Sequence, residues 1–250
     1  MIYDKFDELL TKELSWRKHE VAQLVFATQK NQSSVLHKSL ILMIYAHWEG
    51  FFKRSSKLYL QYVSNQKILL KELTYNYHAI HAKGQIKACF DSINTINIKN
   101  ELKFIEKFSN KLDQKFTLRI NYISDQDNSL VDTNNNLRPD VLKSLFNLLG
   151  FKYLPALEIR EKYLNEYLIN SRNSIGHGNP FDEEGELFSH LDEILKLKTI
   201  VFAIIDCYMD ILLEYAGSKL YLQKNSEIKE EYDLLCEERI ENIIQRIENS

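Results

Sequence analysis

The segment from Leu40 to Phe52, LILMIYAHWEGFF, limits the fold more than any other stretch of this 250-residue chain. Wound as a helix, it is apolar on nearly every side, so it has to sit at the centre of a structure that covers it all round. The cover is written on either side of it. Phe6, Leu10, Leu14, Val21, Leu24 and Thr28 recur at helical steps and predict an amphipathic helix over about residues 3–30. Asn31 to Ser34 break that helix and cap the next, which spans about 34–64 and contains the apolar run. Ile194, Leu197, Val201, Ile204, Tyr208, Ile211 and Tyr215 form a second long stripe, over about 187–216, with Gly217 as its C-cap. A last, acidic amphipathic helix is expected over about 226–247.

Between these lie shorter elements. Pro139 and Pro155 fit the first turn of helices over about 138–149 and 155–175, and Gly150 ends the first of them. Helices over about 75–92 and 98–112 complete the set. With only 7 glycines and 3 prolines the chain has little punctuation, and the fold class is all-α. The exception is Phe116, Leu118, Ile120 and Tyr122, which alternate with polar residues in the manner of a strand. Asp125 to Asn128 could turn this strand back into a short β-hairpin. The expected organisation is one helical domain over residues 1–250, with room for an insertion at about 66–135.

An apolar content of 44% fills a core of that size. The first ten residues mix acids and a lysine into the apolar pattern and form neither a signal peptide nor an anchor. No apolar run is long enough to span a bilayer. Cys89, Cys207 and Cys236 are widely spaced, odd in number and lack a C-x-x-C motif, which suggests reduced thiols in a cytoplasmic protein.

The net charge of −3 conceals an asymmetry. Residues 53–120 carry 13 Lys/Arg against 5 Asp/Glu, whereas residues 182–250 carry 7 against 17. Within the basic region Lys99, Lys103, Lys107, Lys111 and Lys115 follow a strict four-residue step, a lysine row along one helical face. Such a row is by default a solvated face; its functional reading is a track for an RNA backbone. His78 and His81 stand at the spacing of a metal pair, but no acid or cysteine at ligand spacing completes a site, so no metal and no cofactor are expected. The chain has no P-loop, no G-x-G-x-x-G and no G-x-S-x-G, which removes the common NTPase, dinucleotide-binding and serine-hydrolase readings.

The chemistry that remains is concentrated in Arg172-Asn173-Ser174-Ile175-Gly176-His177-Gly178. Arg172 falls in the last turn of an expected helix, and two glycines bracket His177, so that the imidazole is presented beyond the helix end. Histidine moves protons at neutral pH and arginine is a fixed cation for phosphoryl oxygens. Glu49, a carboxylate within the apolar run, needs a partner or an exit to solvent. Arg172 is its candidate partner, with a purely structural pairing elsewhere as the alternative. His47 reads as a satisfied core histidine.

At Arg172 to His177 the sequence resembles the R-x(4-6)-H motif of the HEPN superfamily. Two further segments resemble a bacterial branch of it: Tyr45-Ala46-His47-Trp48-Glu49-Gly50-Phe51-Phe52-Lys53, and Asp132-Thr133-Asn134-Asn135-Asn136-Leu137 followed by Gly150. The resemblance implies a HEPN-like helical bundle with extra helices. In active members it implies metal-independent RNA cleavage by the 2′-hydroxyl, in toxin, antiviral or RNA-processing settings. His177 and Arg172 would then be catalytic, with Asn173 and Glu49 orienting them. Because such sites are commonly composite, a homodimer or a heterodimer with a related chain is expected, with an antitoxin protein as a further candidate partner. Other members have lost activity and act as binding modules for protein or RNA, which is the alternative reading.

Overall fold

In the computed structural model, which describes residues 1–31, 33–90, 97–122, 130–133, 136–178 and 190–249, the Leu40–Phe52 run lies inside a helical bundle. It belongs to α2 (Ser34–Asn65), capped by Ser33, whose hydroxyl accepts a hydrogen bond from Leu36 N at 3.3 Å. Leu40, Ile41, Ile44, Trp48, Phe51, Phe52, Tyr59 and Leu60 of α2 are all essentially inaccessible to solvent. Each such side chain contributes about 1.5–3 kcal/mol by leaving water.

Two long helices provide most of the cover. α1 (Tyr3–Lys30) buries Phe6, Leu10, Leu14 and Val21 against α2. α9 (Leu191–Gly217) packs on a second side of α2, where Tyr208 lies 4.3 Å from Phe52 by ring centroid and pairs its hydroxyl with Ser56 Oγ at 2.7 Å. α10 (Ser226–Glu248) packs on α9 and also grips the chain at Arg160, a buried arginine. Arg160 donates to Glu241 and Glu248 of α10 at 2.6–3.2 Å. Cys207 and Cys236, distant in sequence, meet in this α9/α10 contact with their sulfurs 3.7 Å apart and both thiols free.

The smaller helices are α3 (Tyr75–Phe90), α4 (Lys99–Leu112) and α5 (Pro139–Leu149). Gly150 ends α5 in the left-handed region, at φ 79°. A side chain there is excluded twice, because a Cβ would also meet Asn76 Oδ1 at 2.7 Å. Residues of the basic region, including Leu70, Tyr77 and Phe116, join the same core as α1, α2 and α9.

Two expectations need correction, and two more fall outside the described residues. Among the described residues there is no β-strand over 116–122, only isolated bridges between Leu69 and Lys115 and between Leu73 and Leu222. The backbone of Leu118 is satisfied by a helix side chain instead of a neighbouring strand: its N–H donates to Ser64 Oγ at 2.8 Å. The proposed turn at Asp125 to Asn128 lies outside the described residues. The helix expected over 155–175 is subdivided into α6 (Pro155–Ile159), α7 (Glu161–Tyr163), a wide π-helical stretch (Leu164–Asn170) and α8 (Ser171–Gly176). The start expected for the long helix near 187 also falls outside the described residues, which resume at His190 just before α9. Among the described residues no helix is long and apolar enough to cross a membrane.

Candidate functional site

Arg172 sits one residue into α8, immediately after the π-helical stretch. Such wide turns carry one extra residue per turn and rotate everything that follows them relative to the preceding helix, and they occur often at functional sites. Leu164, Leu168 and Ile169 anchor the stretch in the core, and α8 packs on α2. The Arg172 guanidinium thereby reaches the ring of Tyr45, 4.8 Å from its centroid, a cation–π distance. Its Nη1 donates to Asn173 Oδ1 at 2.8 Å.

Behind this arginine stands a hydrogen-bonded support. Asn136 Nδ2 donates to the same Asn173 Oδ1 at 3.4 Å, and Asn136 Oδ1 accepts from the Tyr45 hydroxyl at 3.2 Å. Tyr45 also accepts from Leu137 N at 3.0 Å, while Trp48 Nε1 donates to the Leu137 carbonyl at 3.1 Å. Burial, followed by the nearby Glu49 carboxylate, pushes the Tyr45 hydroxyl well above its ordinary pKa, so it remains a neutral donor. The segments around Tyr45, Asn136 and Arg172, each singled out in the sequence, therefore meet in space. Asn134 and Asn135 lie outside the described residues.

Glu49 lines the same cleft as Arg172, but its hydrogen-bond partner is Thr133, whose hydroxyl donates at 2.5 Å, and not the expected arginine. Thr133 is itself buried, so the carboxylate is held from below. Tyr45 and Asn173 link this neighbourhood to Arg172.

His177 contrasts with Arg172. It is the exposed C-cap of α8, its N–H donating to Asn173 O at 2.9 Å. Gly178 follows in the left-handed conformation, at φ 78°, and its N–H closes the turn on Ile175 O at 3.1 Å. Gly176 is an ordinary helical residue, so only one of the two flanking glycines is required by backbone shape. Among the described residues nothing beyond the adjoining backbone lies within 4 Å of a Cβ placed on either glycine, and the His177 imidazole has no partner. The turn is an open tip.

Beside Arg172 and Glu49 opens a cleft of about 590 Å³ between α1 and α2. Its floor is a buried ionic cluster that the sequence reading missed. Arg17 Nη2 pairs with Glu13 Oε1 at 2.6 Å, and Arg54 Nε lies 3.0 Å from Glu13 Oε2. Arg17 Nη1 lies 3.3 Å from His47 Nδ1, and since an arginine can only donate, that nitrogen carries a lone pair. The proton is therefore on Nε2, which faces Glu20 Oε2 at 3.3 Å but out of line for a hydrogen bond. Burial, and then the Arg17 charge, lower the His47 pKa to about 4. His47 is thus a buried, neutral histidine, but not the fully satisfied one expected, because Nε2 has no hydrogen-bond partner among the described residues. The signals for this cluster are Arg17 on the core-facing stripe between Leu14 and Val21, and Gly50 in mid-helix. A Cβ at Gly50 would meet Arg17 Nη1 at 2.7 Å.

The lysine row is only partly realised. Lys99, Lys103, Lys107 and Lys111 lie on α4, none of whose side chains is buried. A four-residue step overshoots one helical turn by about 40°, so the row winds about 120° around α4. Lys115 lies beyond the helix, in the bridge to Leu69. α4 packs on α3 and the turn at Leu70–Glu72, away from the α2/α8 contact. His78 directs Nε2 to the Leu70 carbonyl at 2.6 Å. Among the described residues no group of three or more His, Cys, Asp or Glu side chains comes together in a way that could hold a metal ion.

Comparison with known proteins returned no match among curated proteins or solved structures. Residues 6–221, from the first turns of α1 to beyond α9, match the family described as HEPN_MAE_28990-like HEPN, leaving α10 outside the match. The chain belongs to this HEPN family.

Proposed function

We propose that the protein is an endoribonuclease in which the RNA 2′-hydroxyl attacks the adjacent phosphorus. The new bond joins phosphorus to O2′ and the bond to O5′ breaks, leaving a 2′,3′-cyclic phosphate and a 5′-hydroxyl. One group accepts the 2′-hydroxyl proton and another protonates the departing oxygen. His177 moves protons, Arg172 holds the phosphoryl oxygens, and Asn173 and Glu49 fix the orientation of the site. The observation that carries this reading is the support of Arg172: its guanidinium rests on Tyr45 and Asn173 at the edge of a cleft that also contains Glu49. A preorganised cation of this kind suits charge developing on phosphate.

A single chain offers one motif histidine where the reaction needs an acid and a base. The unobstructed tip around His177 favours a second chain meeting the first there, as a homodimer or a heterodimer with a related chain. Asn179 and Pro180, which follow this tip in the chain, lie outside the described residues. Lys99, Lys103, Lys107 and Lys111 serve the RNA backbone farther out. The biological setting that fits is a toxin or antiviral effector acting without a cofactor, held in check by an antitoxin protein. The second reading, a silent module that binds protein or RNA, is favoured by the absence, among the described residues, of any group orienting the His177 imidazole.

The test is incubation of the purified chain, freed of any inhibitory partner, with cellular RNA in EDTA. Cleavage to 2′,3′-cyclic phosphate ends that is lost in His177→Ala supports the nuclease. Intact RNA with the native chain supports the silent module.

A further inference from the structure

The cleft beside Arg172 has features that the cleavage chemistry does not use. Trp16 stands on its lip, 41% exposed. The Arg17 guanidinium lies 4.4 Å from its ring centroid, and His47 meets it edge-on at 5.2 Å. Trp16 is thus aromatic, contacted by Arg17 and His47 and still accessible, a combination that suits stacking a ligand on it.

The charges around it point to an anion. Glu13 is neutralised twice, by Arg17 and Arg54, so this trio retains one positive charge in excess. Lys53, on the same wall, forms no ion pair among the described residues. Arg172 adds a further cation where the cleft meets the motif, and Arg17, Lys53, Arg54 and Arg172 together outweigh the lining carboxylates Glu13, Glu20 and Glu49 by one positive charge. The volume, about 590 Å³, falls within the roughly 300–1,000 Å³ of small-ligand sites. Glu49 retains acceptor capacity beyond its bond with Thr133, which suits a hydroxyl or an amino group.

We infer that this cleft is a nucleotide subsite for single-stranded RNA, adjoining the phosphate held by Arg172. Trp16 stacks one base, Lys53 and Arg54 take the neighbouring phosphate, and Glu49 accepts from an exocyclic amine. The subsite rests on the ribonuclease reading, and it explains why a HEPN chain would keep an exposed tryptophan and an unpaired lysine beside its motif arginine. It also makes single-stranded RNA the preferred substrate, since a paired base cannot leave its stack without cost.

The probe is an eight-nucleotide, fluorescently labelled RNA of mixed sequence with 2′-fluoro in place of every 2′-hydroxyl, which cannot be cleaved by 2′-hydroxyl attack. Binding to the full chain is followed by anisotropy, and with unlabelled probe by tryptophan emission. Trp48, the other tryptophan, is buried, so quenching reports on Trp16. Trp16→Ala is expected to weaken binding about 10-fold or more, the effect of losing one stacked base. Trp16→Phe, the milder change, should keep most of the binding and remove the quenching. Lys53→Glu should weaken binding and reduce its salt dependence by about one phosphate contact.

Unchanged affinity in both Trp16→Ala and Lys53→Glu overturns the subsite, as does binding without quenching. The two readings fail separately. A native chain that cleaves RNA, loses cleavage in His177→Ala and is indifferent to Trp16→Ala keeps the nuclease and loses the subsite. A chain that binds with Trp16-dependent quenching but never cleaves keeps the subsite and loses the nuclease.

Discussion

The two ends of the R-x4-H motif are built differently, although only four residues of sequence lie between them. Arg172 is braced by a ring, two asparagines and a buried tyrosine hydroxyl, and its neighbourhood rests on the ionic floor formed by Glu13, Arg17, Arg54 and His47. His177 stands on an exposed helix cap with no side-chain contact among the described residues. A group that must fix a phosphate benefits from a rigid support that costs no reorganisation during reaction. A group that must exchange protons with a substrate can be left open until substrate or a second chain arrives. The difference suggests that one chain supplies the anion-holding part complete and the proton-transfer part unfinished.

The strongest way to break this comparison is to remove one side chain from each region. Arg17→Ala leaves Glu13 buried with Arg54 alone and should cost about 3–5 kcal/mol of stability, as expected for the loss of one member of a buried ion pair. His177→Ala should change stability by no more than about 0.5 kcal/mol while abolishing cleavage. Thermal or urea unfolding of the two variants checks both. Equal destabilisation would show that the tip is not the open element described.

Acid sharpens the comparison with a smaller effect. His47 has a folded-state pKa of about 4 against an ordinary value of 6.5, so the unfolded chain takes up this proton first. Its contribution to stability is full above pH 6.5 and is lost as the pH falls from about 6.5 to 4, a change on the order of 2–3 kcal/mol. Arg17, Glu20 and Trp16 face the imidazole, and protonation would place a second positive charge against Arg17. His47→Gln should flatten this part of the stability profile. A slope that persists unchanged in the variant would assign it to other groups.

The smallest effect lies at the tip itself. Gly178→Ala should cost about 1 kcal/mol, because its φ of 78° strains any other residue, whereas Gly176→Ala should be neutral or stabilising by up to about 1 kcal/mol. Equal effects at both positions, measured by urea unfolding, would contradict the backbone geometry.

The sequence gives away the bundle because its long helices are strongly patterned. The ends of α1, α2 and α5 follow from Asn31, Ser33, Pro139 and Gly150, residues whose local chemistry ends or begins a helix whatever surrounds them. The π-helical stretch at Leu164–Asn170 was hidden, since one extra residue per turn barely disturbs apolar spacing over so short a length. The alternation at Phe116–Tyr122 misled because period two reports sidedness and says nothing about which group satisfies the backbone; here Ser64 does so for Leu118. In the candidate site, Arg172, Asn173 and His177 were legible as a local motif. The Tyr45–Asn136–Asn173 support and the Thr133–Glu49 bond join residues far apart in the chain, and no local pattern encodes such pairs. Arg17 and Gly50 were each odd on their own helix, and only their meeting explains both.

The central claim, that two chains complete one site, is most directly tested by subunit mixing. Wild-type chain and His177→Ala chain are combined in equal amounts, allowed to exchange, and assayed for RNA cleavage at fixed total protein. If both histidines are needed, random pairing leaves about a quarter of the dimers intact, and activity should fall to about a quarter of the all-wild-type value. Activity of about one half, together with a monomeric mass at the assay concentration, would mean that each chain cleaves alone.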